Sequence, residues 1–116
     1  LYVDDLAEAC VFVLENFTSD TTDNSNNNKD KSSLVNLGSK YEISIKDLAE
    51  KVALKCGYEG KIIWDKSKPD GTPRKKLDIS KLSSLGWEAK TNLDVGISKT
   101  IEAYNNEKKS GKLRLV

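Results

Sequence analysis

The sequence predicts an α/β fold of helices with a few short strands, and three observations carry that prediction. Ser44-Ile45-Lys46-Asp47 and Thr91-Asn92-Leu93-Asp94 are capping boxes, each opening a stretch with apolar residues at helical spacing. Leu34-Val35-Asn36-Leu37-Gly38 and Lys61-Ile62-Ile63-Trp64 are short apolar runs beside turn residues and read as strands. Two such strands cannot make a sheet with both faces covered, so most of their sheet is expected from other residues.

The first helix begins near Asp4, whose carboxylate is placed to cap it, with Asp5 at the positive end of the dipole. Leu6, Ala9, Cys10, Val13 and Phe17 form one apolar stripe, and Ala7, Val11 and Leu14 form a second beside it. A helix so apolar needs cover on more than one side. The chain also opens on Leu1 without Met and enters this helix at once, so it is expected to be a piece of a longer protein. Thr18 to Ser33 contains no apolar residue and cannot bury enough surface to offset the entropy of ordering it; it is expected to be a disordered surface insertion.

The helix opened at Ser44 carries Ile45, Leu48, Ala49, Val52, Ala53 and Cys56 on one face and stops at Gly57. A short helix starting at Asp78 or Ser80 carries Ile79, Leu82 and Leu85 and stops at Gly86. The last helix runs Leu93, Ile97, Ile101 and Tyr104 down one face. Cys10 and Cys56 lie in apolar faces and are read as buried, reduced thiols, and Trp64 and Trp87 as packing anchors.

Composition excludes much chemistry. There is no His, hence no imidazole base and no Ser-His or Cys-His pair, and two cysteines cannot build a four-thiolate zinc site. Nineteen basic against eighteen acidic residues give no field that draws nucleic acid, and no apolar run approaches the length of a membrane span. Tyr104 and Lys108 fit a Tyr-x-x-x-Lys spacing, and Asn16-Phe17-Thr18 fits a glycosylation sequon; both are read as incidental.

The densest polar segment, Asp65 to Lys76, is the candidate site. Pro69 and Pro73 bracket Asp70-Gly71, a strong turn former, and Gly71 leaves room for close approach of a ligand. Arg74 and Lys75 then place positive charge beside that turn, which suits a diphosphate, while Asp70 can accept hydrogen bonds from hydroxyls. By composition alone the same residues also describe a solvated Lys-rich loop.

Leu1-Tyr2-Val3-Asp4-Asp5 and its helix resemble the extended short-chain dehydrogenase/reductases that act on nucleotide-sugars, of the NAD-dependent epimerase/dehydratase family. Trp64-Asp65-Lys66-Ser67-Lys68-Pro69-Asp70-Gly71-Thr72-Pro73-Arg74-Lys75 resembles the corresponding loop of its GDP-keto-sugar epimerase/reductases. Leu77-Asp78-Ile79-Ser80-Lys81-Leu82, Leu85-Gly86-Trp87 and Leu93-Asp94-Val95-Gly96-Ile97 continue the pattern.

The resemblance implies that residues 1–116 are the C-terminal, GDP-sugar-binding portion of a cytoplasmic, homodimeric enzyme with most of its Rossmann core elsewhere. Asp70 matches a loop aspartate that binds the GDP-sugar. Lys75 matches a basic residue near the phosphates, with Arg74 beside it and Gly71 in the same loop. Catalytic residues and the NADPH site are implied to lie outside this chain, which is expected to be inactive alone and to bind no metal. The rival readings are the same region acting on another nucleotide-sugar, or a non-enzymatic binding module.

Overall fold

The computed structural model describes residues 1–17 and 34–113. These form four helices, α1 (Val3–Asn16), α2 (Ile45–Cys56), α3 (Ser80–Ser84) and α4 (Leu93–Lys109), and no strand among the described residues. No described helix is long and apolar enough to cross a membrane. The insertion expected to be disordered lies outside the described residues. The chain divides into two compact units: Leu1, Val3–Lys40 and Lys76–Lys90 in the first; Tyr2, Tyr41–Lys75 and Thr91–Val116 in the second.

In the first unit, Ala9 of α1, Leu82 of α3 and Trp87 are buried together, with Phe12, Val13, Val35, Leu37 and Ala89 packed against them. Ala9 and Val13 of the first α1 stripe therefore find cover while Leu6 of the same stripe is exposed, and Trp87 is the anchor its size predicts. The second stripe does not: Val11 is exposed and Leu14 is 84% exposed. Cys10 is exposed and free, a correction to its expected burial, because that flank of α1 has no neighbour among the described residues. Asp4 is likewise not the cap; α1 begins at Val3, so Asp4 and Asp5 occupy its first turn, where carboxylates favour the dipole. Of the two expected starts for α3, Ser80 is the one found: Asp78 lies one residue ahead of the N-cap Ile79, its Oδ1 accepting from the Ser80 amide at 2.9 Å.

Residues 34–38 are not a strand. They lie beside 77–79 through side chains: Asn36 Nδ2 donates to the Asp78 carbonyl at 3.0 Å, and a Cβ on Gly38 would come within 3.2 Å of Ile79 Cγ2. Lys81 Nζ donates to the Leu34 carbonyl and also lies over the Phe17 ring. A strand exists only when its backbone is paired, and no backbone ladder forms between these two segments. Ion pairs Lys90–Glu8 and Lys40–Glu88 (2.9 Å) tie the unit together at its surface.

In the second unit α2 packs on α4. Lys51 Nζ bridges both carboxylate oxygens of Asp94 at 2.9 and 3.0 Å, and Lys55 Nζ donates to Ser98 Oγ at 3.1 Å. Ser44 caps α2 as its pattern requires, Oγ accepting from the Asp47 amide at 3.0 Å. The α4 cap is Asn92 rather than Thr91: Asn92 Oδ1 accepts from the Val95 amide at 2.9 Å, a shift of one residue from the expected box. Gly96, inside α4, faces Tyr2, whose Cβ lies 3.4 Å from where a Cβ on Gly96 would stand.

No residue of α2 is buried, so Cys56, Ile45 and Leu54 stand exposed on it. Residues 61–64 likewise form no strand; with no partner edge, Ile63 is 81% and Trp64 48% exposed, which corrects the reading of Trp64 as a buried anchor.

The α2 stop is legible and strained for any other residue. Gly57 has φ +67° and its amide bonds back to Leu54, while Tyr58 donates to Ala53. A Cβ at Gly57 would meet no atom within 4 Å, so Gly57→Ala carries only the left-handed backbone penalty. The expected loss is about 1 kcal/mol, read by thermal unfolding.

Candidate functional site

The 65–76 segment takes its shape from local chemistry. Asp65 Oδ1 accepts from the Ser67 amide at 2.9 Å and from Ser67 Oγ at 2.6 Å. These bonds hold the Asp65 carboxyl below the ordinary carboxylate range, the hydroxyl bond first, then the amide. They also close the turn at Lys66–Ser67. The expected turn at Asp70-Gly71 does not form. Gly71 is not left-handed, and the prolines at 69 and 73 turn the residues before them away from helical conformations. The Asp-Gly pair therefore lies in an irregular, outward-facing stretch.

Every residue from 63 to 78 is exposed. Five cations against two carboxylates lie between Asp65 and Lys76, so the segment is locally basic in a chain that is nearly neutral. A Cβ on Gly71 would meet nothing within 4 Å, so the space above that residue is open. Among the described residues, neither the Asp70 nor the Lys75 side chain has a hydrogen-bond or ion-pair partner.

Arg74 differs. Its Nε donates to Glu42 Oε1 at 2.8 Å and its Nη2 to Oε2 at 2.6 Å, a two-point fork that keeps the guanidinium above its ordinary pKa through the hydrogen bonds and then the charge of Glu42. Sequence reading found Arg74 but missed Glu42. The two are 32 residues apart, and nothing in either segment's pattern links them.

The four expected site residues, Asp70, Gly71, Arg74 and Lys75, thus sit on one exposed loop with two open side chains of opposite charge and one held cation. This arrangement accepts and donates hydrogen bonds and neutralises anions. Among the described residues there is no cluster of acidic or thiol side chains able to hold a metal. Tyr104 and Lys108 lie in the last two turns of α4, with Tyr104 half exposed.

No family model matches the chain. GDP-L-fucose synthase 1 of Arabidopsis thaliana is 47% identical over 104 residues, covering 90% of this chain and 28% of that protein. GDP-L-fucose synthase of Escherichia coli (strain K12) is 37% identical over 104 residues, covering 90% of this chain and 32% of that protein. Among solved structures, a GDP-6-OMe-4-keto-L-xylo-heptose reductase from C. jejuni superposes with a TM-score of 0.77 at 31% identity, over 90% of this chain and 29% of that one. The chain spans about three tenths of the length of the curated relatives it matches, in their C-terminal part.

Proposed function

We propose that this chain, which belongs to the GDP-L-fucose synthase family and matches the C-terminal part of its members, is the GDP-sugar-binding portion of such an enzyme. The whole enzyme would convert GDP-4-keto-6-deoxy-D-mannose to GDP-L-fucose with NADPH, by 3,5-epimerisation and 4-reduction. The observation that carries the reading is the basic, outward-facing loop on which Asp70 and Lys75 have no partner. Lys75, with Arg74 beside it in the chain, meets the diphosphate; Asp70 accepts from hydroxyls of the ligand; Gly71 keeps the approach open.

The residues present do not fit a nicotinamide site. The sequence has no glycine-rich nucleotide loop, and Tyr104–Lys108 sits on an exposed helix end. NADPH is assigned to the remainder of the protein, as are the catalytic groups, so this portion positions substrate for chemistry performed elsewhere. In that setting residues 34–38 and 61–64 extend a sheet completed by the remainder, giving the α/β character. The parent is proposed to be a cytoplasmic homodimer.

The test is turnover. Full-length protein is expected to consume GDP-4-keto-6-deoxymannose with NADPH, whereas residues 1–116 alone are expected to give none; turnover by the 116 residues refutes the division of labour. The heptose reductase neighbour favours one second reading, a different GDP-sugar as substrate. Identifying the product from a panel of GDP-keto-sugars decides between them, and a preference for UDP-sugars overturns both.

A further inference from the structure

We infer that Glu42 is a positioning residue for the ligand loop: by gripping two nitrogens of Arg74, its carboxylate holds residues 65–75 where Asp70 and Lys75 can meet a nucleoside diphosphate. The inference rests on the binding role proposed above for that loop.

A loop without buried residues has no apolar packing to order it, and every residue from 65 to 75 is exposed. The restraints within it are local. The Asp65–Ser67 turn and the two prolines stiffen the chain but fasten it to nothing else. The Arg74–Glu42 fork does, because Glu42 belongs to a different part of the same unit, two residues before Ser44, the capped start of α2. Two parallel bonds fix orientation as well as distance, which a single lysine contact would not.

The fork also sets the role of Arg74. Two of its N–H donors face a carboxylate, so its bidentate edge is committed to the protein, and Lys75 is left as the cation that meets the ligand. Both partners are solvent-exposed, so the pair contributes little to global stability. Its value lies in ordering the loop before the ligand arrives, a cost that binding otherwise bears.

Full-length protein is assayed for GDP affinity by calorimetry, for the KM and kcat of the keto GDP-sugar, and for amide hydrogen exchange across 66–76. Glu42→Gln is expected to raise the GDP Kd and the sugar-nucleotide KM about fivefold, with kcat held within about twofold and faster exchange in the loop. The reciprocal swap, Glu42→Arg with Arg74→Glu, restores the fork and is expected to bring KM back to within about twofold of wild type. If Arg74 instead meets the phosphates directly, Glu42→Gln binds GDP as well as wild type or better. The swap, with a carboxylate at position 74, then binds worst, and either result overturns the inference. Should Glu42→Gln not fold, Glu42→Ala, which also loses the fork and leaves Arg74 in place, is read by the same criteria. If wild-type protein binds no GDP, the proposed function falls, and the exchange experiment still judges the fork: unchanged protection in Glu42→Gln rejects it.

Discussion

Leu82→Ala is expected to cost about 3 kcal/mol of folding stability, against under about 0.5 kcal/mol for Leu54→Ala, both read by urea denaturation of the 116-residue chain. Leu82 is 1% exposed and is the one large side chain fully enclosed among the described residues, whereas Leu54 is 81% exposed on α2. The core around Leu82 is small, its other buried members being Ala9 and Trp87, so few neighbours can relax into the space a truncation leaves. α3 is too short, at five residues, to hold itself by its own hydrogen bonds, and its end is tied to the same spot: the Trp87 amide bonds to the Leu82 carbonyl at 3.4 Å and Gly86 to Ser83 at 3.0 Å. Trp87 Nε1 is buried without a hydrogen-bond partner among the described residues. The indole is therefore held there by apolar contact, and removing Leu82 removes part of what justifies the buried N–H. Equal losses at the two positions would mean that the first unit's core is not where stability resides.

What could be read ahead of the structure was what short-range chemistry decides. The Ser44 cap and the Gly57 stop each depend on a few adjacent residues, and both stand as written. The α4 cap moved from Thr91 to Asn92 because both side chains are competent caps and the sequence does not rank them. Readings that depended on a partner fared worse. Val35 and Ile62 have the composition of strand residues, but a strand is a relation between two segments, and none of the described residues supplies the second. Cys10, Leu14 and Cys56 carry an apolar pattern whose cover is absent from the described residues, so periodicity alone placed them inside. The loop showed both sides of this. Its proline, glycine and cation content made it the candidate site, while its turn formed at Asp65–Ser67 through a side-chain bond that the Asp70-Gly71 signal overshadowed. Glu42 was invisible because its role exists only across 32 residues of chain.

Lys75→Ala in full-length protein is expected to raise the KM for the GDP-sugar on the order of tenfold, and Asp70→Ala by a similar factor, with the KM for NADPH changed by less than about twofold. The two losses differ in kind, and ionic strength separates them. An exposed ammonium facing a diphosphate is screened by salt within a Debye length of about 10 Å at 0.1 M, so wild-type KM should climb as salt is added and the Lys75→Ala value should stay nearly flat. Asp70 is proposed to accept from neutral hydroxyls, so Asp70→Ala should keep the wild-type salt slope at a higher KM. Gly71→Ala supplies the third reading. Gly71 is neither left-handed nor near any other atom, so the protein tolerates the methyl group without strain. A KM increase in that variant at unchanged melting temperature therefore reports the ligand's own approach to the backbone. An unchanged KM in both Lys75→Ala and Asp70→Ala removes the loop from the binding site, because neither side chain has a hydrogen-bond or ion-pair partner among the described residues whose release could offset a lost ligand contact.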